Sequence, residues 1–581
     1  MFAPYLVVFS IPYIANGMLE QDLVIDKAGS HAVHTATVAT DVLNTQNEVA
    51  EVGSQGSCSK LKSVDGGAMY TVEVDVGKPE QKLDVVVDTG SNLLVVESCV
   101  CRDSGYCNPA GKCFREQNSS TLSLVQGSGG LPATAILNFG SGSILTEVAT
   151  DRVRIGQLET RMKKGVLLMV DQLLDFFGAF EGLLGLGLPS SVDGPLALRI
   201  GGRDSPFVAN RTADAALPPT VQMDSADAAG PARPPPWSGP ALNGSSGSLD
   251  VAAAAGAESV AGEGFLAQAG VSRFSVCLGD DTDQNPGILR FDPPAMSRGL
   301  KSIGTMHWGL DFRGVSVGDS AATLGFCSVA TMSPSQQTPC GAIPDSGTTY
   351  MMGPQDQLIA LIEGICDAWP RCSTNYTAMV EAAEKAKSAV MDKYHMDPWN
   401  IKPMSKGLVF EMLMRDCDAW FDDKIGLEEL PPIHFHLADD TGKTKAVTLD
   451  GWAYVISAKE RERRIVYQDI PGEGSYPSGY EYTGRTVWIC RAAMGVLEYP
   501  TERNGPAWIL GMPIFHQHVV GFDVSKAPPT VSFAPGPCGE CGGAALITPQ
   551  APASSHAGRA RRPRRIHGRP RIPRINVSHA F

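Results

Sequence analysis

Two short segments hold the residues most able to do chemistry. Val85-Val86-Val87-Asp88-Thr89-Gly90-Ser91 drives an apolar run into an aspartate and stops at a glycine. Far downstream, Ala342-Ile343-Pro344-Asp345-Ser346-Gly347-Thr348-Thr349 repeats the idea. An apolar strand carries each carboxylate into a water-poor interior. Gly90 and Gly347 let the backbone turn tightly beside it. The small hydroxyl residues Thr89, Ser91, Ser346 and Thr348 can hydrogen-bond the carboxylates, and each other, without filling a cleft. Two carboxylates brought close cannot both ionise cheaply, so one proton is shared and their proton affinities split. An ionised aspartate can then act as general base on a water while its protonated partner polarises a carbonyl.

One Asp-Ser-Gly alone is an ordinary turn. Two of them, each after an apolar run, need elements that bring them together. Each has a hydrophobic-glycine companion: Phe180-Glu181-Gly182-Leu183-Leu184-Gly185 for the first and Trp508-Ile509-Leu510-Gly511 for the second. The pattern predicts a site shared between two lobes. Met69 to Gly77 alternates like a strand, and Gly77-Lys78-Pro79 turns it. Ile136 to Ile144, with Phe139, Gly140, Ser141 and Gly142 at its centre, reads as a glycine-turn hairpin. His307-Trp308-Gly309-Leu310 and Gly314 to Gly318 read as another. Leu358, Leu361, Ile362 and Ile365 predict a helix over 355–368 that covers the sheet.

These segments resemble the pepsin-like aspartic proteases, peptidase family A1. The resemblance covers roughly residues 68–192 and 263–537. It implies an all-β, bilobal fold with an active-site cleft between two barrel-like lobes. Asp88 and Asp345 are the implied catalytic pair; the proton-sharing of such a pair is a known property of that family. Ser91 and Thr348 would support the carboxylates from outside. Thr89 and Ser346 would tie the two loops together, and Gly90 and Gly347 would complete the turns. Phe139, Gly140, Ser141 and Gly142 stand where the family has its flap, with Phe139 in place of the usual Tyr. Val95 stands where Trp is frequent, and Met512 where Asp is frequent. The implied partner is a peptide or protein substrate cut by an aspartic endopeptidase. The resemblance calls for no cofactor and no metal, and a monomer suffices. The alternative on the same fold is a weak or inactive protein that still grips peptide.

Along the chain, residues 1–17 read as a signal peptide, with an apolar run from Leu6 to Ala15 that is short for a membrane span. Residues 18–65 are a propeptide or a disordered leader. Residues 66–270 form the N-terminal lobe, interrupted at 193–262 by an Ala/Pro/Gly/Ser-rich insert that cannot offset its ordering entropy. Residues 271–541 form the C-terminal lobe. Residues 542–581 are a tail with eight arginines and no acid. It reads as disordered, or as a binder of anionic lipid or a sorting partner. No later stretch reads as transmembrane.

Net charge is −14 over 581 residues, with 43% hydrophobic and 19% charged residues. The acidic balance argues against nucleic acid as the main partner. Fourteen cysteines and five Asn-x-Ser/Thr sequons, at Asn118, Asn210, Asn243, Asn375 and Asn576, favour the secretory route. Cys99, Cys101, Cys107 and Cys113 fall close together; zinc ligation and two local disulfides are both chemically open, and the secretory context favours disulfides. The resemblance to the membrane-anchored animal branch of the family implies Cys417 with Cys490 and Cys277 with Cys538. Cys327 with Cys340 and Cys366 with Cys372 read as local pairs, leaving Cys58 and Cys541. His434/His436 and His516/His518 each share a strand face, but no thiolate or carboxylate stands at a matching position.

Overall fold

The computed structural model describes residues 57–109, 111–127, 130–139, 142–174, 180–189, 262–279, 286–296, 299–320, 322–394, 404–421, 427–470, 474–541 and 574–575. The expected signal segment and nearly all of the expected leader, insert and tail lie outside the described residues. The fold is strand-rich and bilobal, with its longer helices gathered between Gln355 and Arg415.

One sheet joins the lobes. Its order runs Thr530–Pro535, His518–Asp523, Arg273–Cys277, Gly287–Phe291, Cys58–Val64, Met69–Val76, Gln81–Asp88. This corrects the leader boundary at residue 65, because Cys58–Val64 is a strand of the fold. Its sequence, Cys-Ser-Lys-Leu-Lys-Ser-Val, is too polar to announce a core strand. Its partner, Gly287–Phe291, is distant in sequence, with Cys58 opposite Arg290 and Leu61 opposite Gly287. The Cys58–Cys541 disulfide ties the start of this strand to the far end of the fold, and Cys277–Cys538 lies beside it.

In the first lobe, Gln81–Asp88 pairs antiparallel with Met69–Val76 and parallel with Gly182–Gly185. Leu94–Glu97 lies antiparallel to Gly182–Gly185 and parallel to Leu158–Leu174. The hairpin Thr134–Phe139/Gly142–Ile155 continues the sheet. Leu93, Val95, Leu137, Ile144, Leu167 and the disulfide-bonded Cys101 and Cys107 share a small core of their own. Val95 therefore packs between the hairpin strands and the cysteine loop.

In the second lobe, Cys340–Pro344 runs parallel to Gly505–Leu510, which pairs with Met351–Gly353 on its other side. Leu310–Val317 is one strand rather than a hairpin. It bulges between Phe312 and Val315, where Gly314 takes φ +96°. Phe312, Phe326 and Phe435 surround buried Trp508, whose indole N–H donates to Gln357 Oε1 at 2.8 Å. Burying aromatic surface of this size contributes about 1.5–3 kcal/mol per side chain.

Gln357 belongs to the helix Gln355–Ala368, which stands where its spacing predicts. Two further helices, Pro370–Tyr394 and Lys406–Arg415, accompany it. Cys366–Cys372 pins the corner between the first two. Trp369 packs edge-on against Phe410 and Trp420, and Glu429 accepts from its indole at 2.8 Å and from Arg371 at 2.6 Å. A long hairpin, Val455–Ile470/Gly474–Ala492, leaves this region, and Arg574–Ile575 pairs parallel with Ser457 and Ala458 on its edge. The fourteen cysteines form seven disulfides, which include Cys99–Cys113, Cys101–Cys107, Cys327–Cys340 and Cys417–Cys490. Among the described residues no helix is long and apolar enough to cross a membrane.

Candidate active site

Each aspartate follows a buried strand that a parallel strand backs. Asp88 is opposite Gly185, and its carbonyl accepts from Leu186 N–H at 2.7 Å. Asp345 N–H donates to Leu510 O at 3.0 Å. The companion glycines thread through tight gaps. A Cβ on Gly185 would collide with the backbone of Asn92 and Leu93, and one on Gly511 with the carbonyls of Tyr350 and Thr348. This close approach is what the hydrophobic-glycine segments serve.

The two loops bring Asp88 and Asp345 together, both buried at 8% exposure. Gly90 N–H donates to Asp88 Oδ1 at 2.8 Å and Gly347 N–H to Asp345 Oδ1 at 2.9 Å. Ser91 Oγ donates to Asp88 Oδ2, and Thr348 Oγ1 to Asp345 Oδ2 at 2.7 Å. Each glycine also faces the opposite carboxyl. A Cβ on Gly90 would stand 2.6 Å from Asp345 Oδ2, and one on Gly347 would strike Asp88 Oδ1.

Behind the carboxyls, the loops cross-brace. Thr89 Oγ1 donates to Pro344 O at 3.0 Å and accepts from Ser346 N–H at 3.0 Å. In return, Ser346 Oγ donates to Val87 O at 2.7 Å and accepts from Thr89 N–H at 3.2 Å. All four groups are buried, so every bond is made away from water.

Burial pushes the Asp88 carboxyl up to about 7, and the neighbouring Asp345 charge adds to the rise; the Ser91 and Gly90 donors oppose it. The arrangement can hold a proton between two oxygens and bind a water against them. A second buried acid, Glu97, lies under the cysteine loop. Burial, then the charge of Glu181, raises it to about 7, while Arg102 opposes. Among the described residues its Oε1 has no hydrogen-bond partner.

Of the hairpin residues, Phe139 and Gly142 pair across its end, while Gly140 and Ser141 lie outside the described residues. Met512 is buried and opens a short helix, Met512–Gln517, with Pro513 in its first turn. The histidine pairs are bound within the fold. His434 reaches Thr448 Oγ1 and Gly318 O, His436 reaches Ser316 Oγ, and His518 reaches Thr448 O. No group of three or more His, Cys, Asp or Glu is arranged to hold a metal among the described residues.

Two neighbours of the pair, His307 and Trp308, are legible in the sequence only as part of a strand-like run. His307 Nδ1 lies 2.9 Å from Gly90 O, and Trp308 donates its indole N–H to Leu186 O at 2.9 Å. Both come from the second lobe, His307 onto the Asp88 loop and Trp308 onto the end of the strand that backs it. Their dipeptide carries no motif, so only the folded arrangement identifies it.

Residues 69–195 match the family model described as eukaryotic aspartyl protease. The sequence is 34% identical to pregnancy-associated glycoprotein 1 of Ovis aries over 123 residues, which is 21% of this chain and 30% of that protein. It is 33% identical to aspartic proteinase oryzasin-1 of Oryza sativa subsp. japonica over 146 residues, 25% of this chain and 27% of that protein. Pepsin II-2/3 of Oryctolagus cuniculus is 32% identical over 124 residues, again 21% of this chain and 30% of that protein. The matched region thus spans under a third of these relatives' length.

Proposed function

We propose, taking as premise that this chain is of the pepsin-like aspartic protease family in its first lobe and in its fold, that it is an aspartic endopeptidase. The observation that carries the reading is the pair itself: two buried carboxyls, each bonded by a glycine N–H and a hydroxyl, on loops braced to each other. Burial keeps one proton on the pair, so one carboxyl is a donor and the other a base. The base takes a proton from water as its oxygen bonds to the scissile carbonyl carbon. The donor protonates the developing oxyanion. Collapse of the tetrahedral species breaks the C–N bond, and a proton passes to the departing amine. No covalent enzyme intermediate forms.

In this reading, the hairpin ending at Phe139 and Gly142 closes over an extended peptide. Phe139, an apolar residue where Tyr is usual, brings no phenolic hydroxyl to that closure. The seven disulfides support folding in an oxidising, secretory compartment.

The test is cleavage of a denatured protein from pH 3 to 7, with Asp88→Asn as control. Acid-side turnover that disappears in the variant is expected. A folded chain that binds a hydroxyl-bearing transition-state analogue yet never cleaves would instead make it a peptide-binding protein.

A further inference from the structure

Gly90 is held from two sides. Its N–H donates to Asp88 Oδ1, and its carbonyl oxygen meets His307 Nδ1 at 2.9 Å. A carbonyl only accepts, so His307 donates from Nδ1. The next residue, Ser91, donates its hydroxyl to Asp88 Oδ2. His307 therefore grips the peptide that links the two residues bonding Asp88. The same glycine stands against Asp345, where a Cβ would leave only 2.6 Å to Oδ2.

The histidine is itself well placed. Its ring is half-buried and meets Tyr499 edge-on, with centroids 6.4 Å apart. The indole of adjacent Trp308 is anchored on Leu186 O, beside the strand that backs Asp88. Tyr499 thus walls one side of the imidazole, and burial raises the pKa of its phenol.

We propose that His307 is a positioning residue: by clamping the Gly90–Ser91 peptide it holds in place both groups that donate to Asp88, the Gly90 N–H and the Ser91 hydroxyl. The inference rests on the protease reading above. A carboxyl whose donors drift by a fraction of an ångström loses the alignment that turnover needs, while the rest of a peptide cleft is untouched.

Full chains carrying His307→Gln and His307→Ala are compared with wild type in the same cleavage assay, with thermal unfolding of each. Glutamine keeps a donor for Gly90 O and should hold kcat within about threefold. Alanine loses the clamp, and kcat should fall about tenfold or more with little change in KM. A His307→Ala kcat within about threefold of wild type, or a His307→Gln kcat as low as that of His307→Ala, overturns the clamp. Changes confined to KM in both variants overturn positioning and leave a passive wall. Wild type without turnover, or turnover surviving Asp88→Asn, would sink the protease reading and this inference with it, a result distinct from either.

Discussion

Gly182–Gly185 backs the Asp88 loop and Gly505–Leu510 backs the Asp345 loop, in each case as a parallel strand. Each loop gives its carboxyl one glycine N–H and one hydroxyl. The coverings differ. The first loop takes His307 and Trp308 from the other lobe onto Gly90 and Leu186. The second rests on Trp508, which is tied to Gln357 of the helix Gln355–Ala368 and fills the space beside Gly353. The four-residue motif thus sets the local bonds twice over, while distant chain decides what surrounds each copy.

The equivalence of the loops can be broken at the carboxyls first. Asp88→Asn and Asp345→Asn should each lower turnover by at least about 10³-fold, since both members of the pair handle a proton. A variant that keeps substantial turnover would make the two aspartates unequal partners. Next come the glycines. Gly90→Ala and Gly347→Ala each push a methyl into the opposite carboxyl and should cost about 10²-fold in kcat by displacing it. Unequal losses would show which covering yields more easily.

Smaller effects test the brace. Thr89→Val and Ser346→Ala each leave buried backbone groups without partners and should cost about 1–3 kcal/mol in denaturant unfolding. Similar values are expected because the brace is reciprocal. A near-neutral result for either would show that its partners find other bonds.

The gentlest test is the slope of stability with pH. Asp88 and Glu97 are both held near 7 in the fold, against about 4 in an unfolded chain. Between those values the folded state keeps protons that the unfolded state has lost. Stability is therefore fully present below about pH 4 and declines as pH rises through about 7. Glu97→Gln removes one of the two titrations. It should flatten the decline in melting temperature from pH 4 to 8 and change little at pH 4. An unchanged slope would place the linkage elsewhere.

Much of this site was legible in the chain. The two aspartate motifs, their glycine companions and the helix over 355–368 are local patterns in which residue type, spacing and backbone need coincide. The polar strand Cys58–Val64 was not legible, because its stability comes from Gly287–Phe291 and from Cys541 at the far end of the fold. The hairpin expected of His307–Leu310 with Gly314–Gly318 is one bulged strand instead, since a glycine beside strand-like runs serves a turn or a bulge alike. The helices Pro370–Tyr394 and Lys406–Arg415 went unread; Trp369, Phe410 and Trp420 come together only once those helices dock.

The sequence by itself determined that two strands end in aspartates with small donors beside them, because hydrophobic runs, glycine turns and hydroxyl spacing act over a few residues. The tertiary structure decided that the aspartates face each other, that Thr89 and Ser346 exchange bonds, and that His307 reaches Gly90. Those contacts join residues more than 200 positions apart, and no local rule of chain geometry can fix a meeting at that distance. Only the packing of two lobes around one buried sheet does.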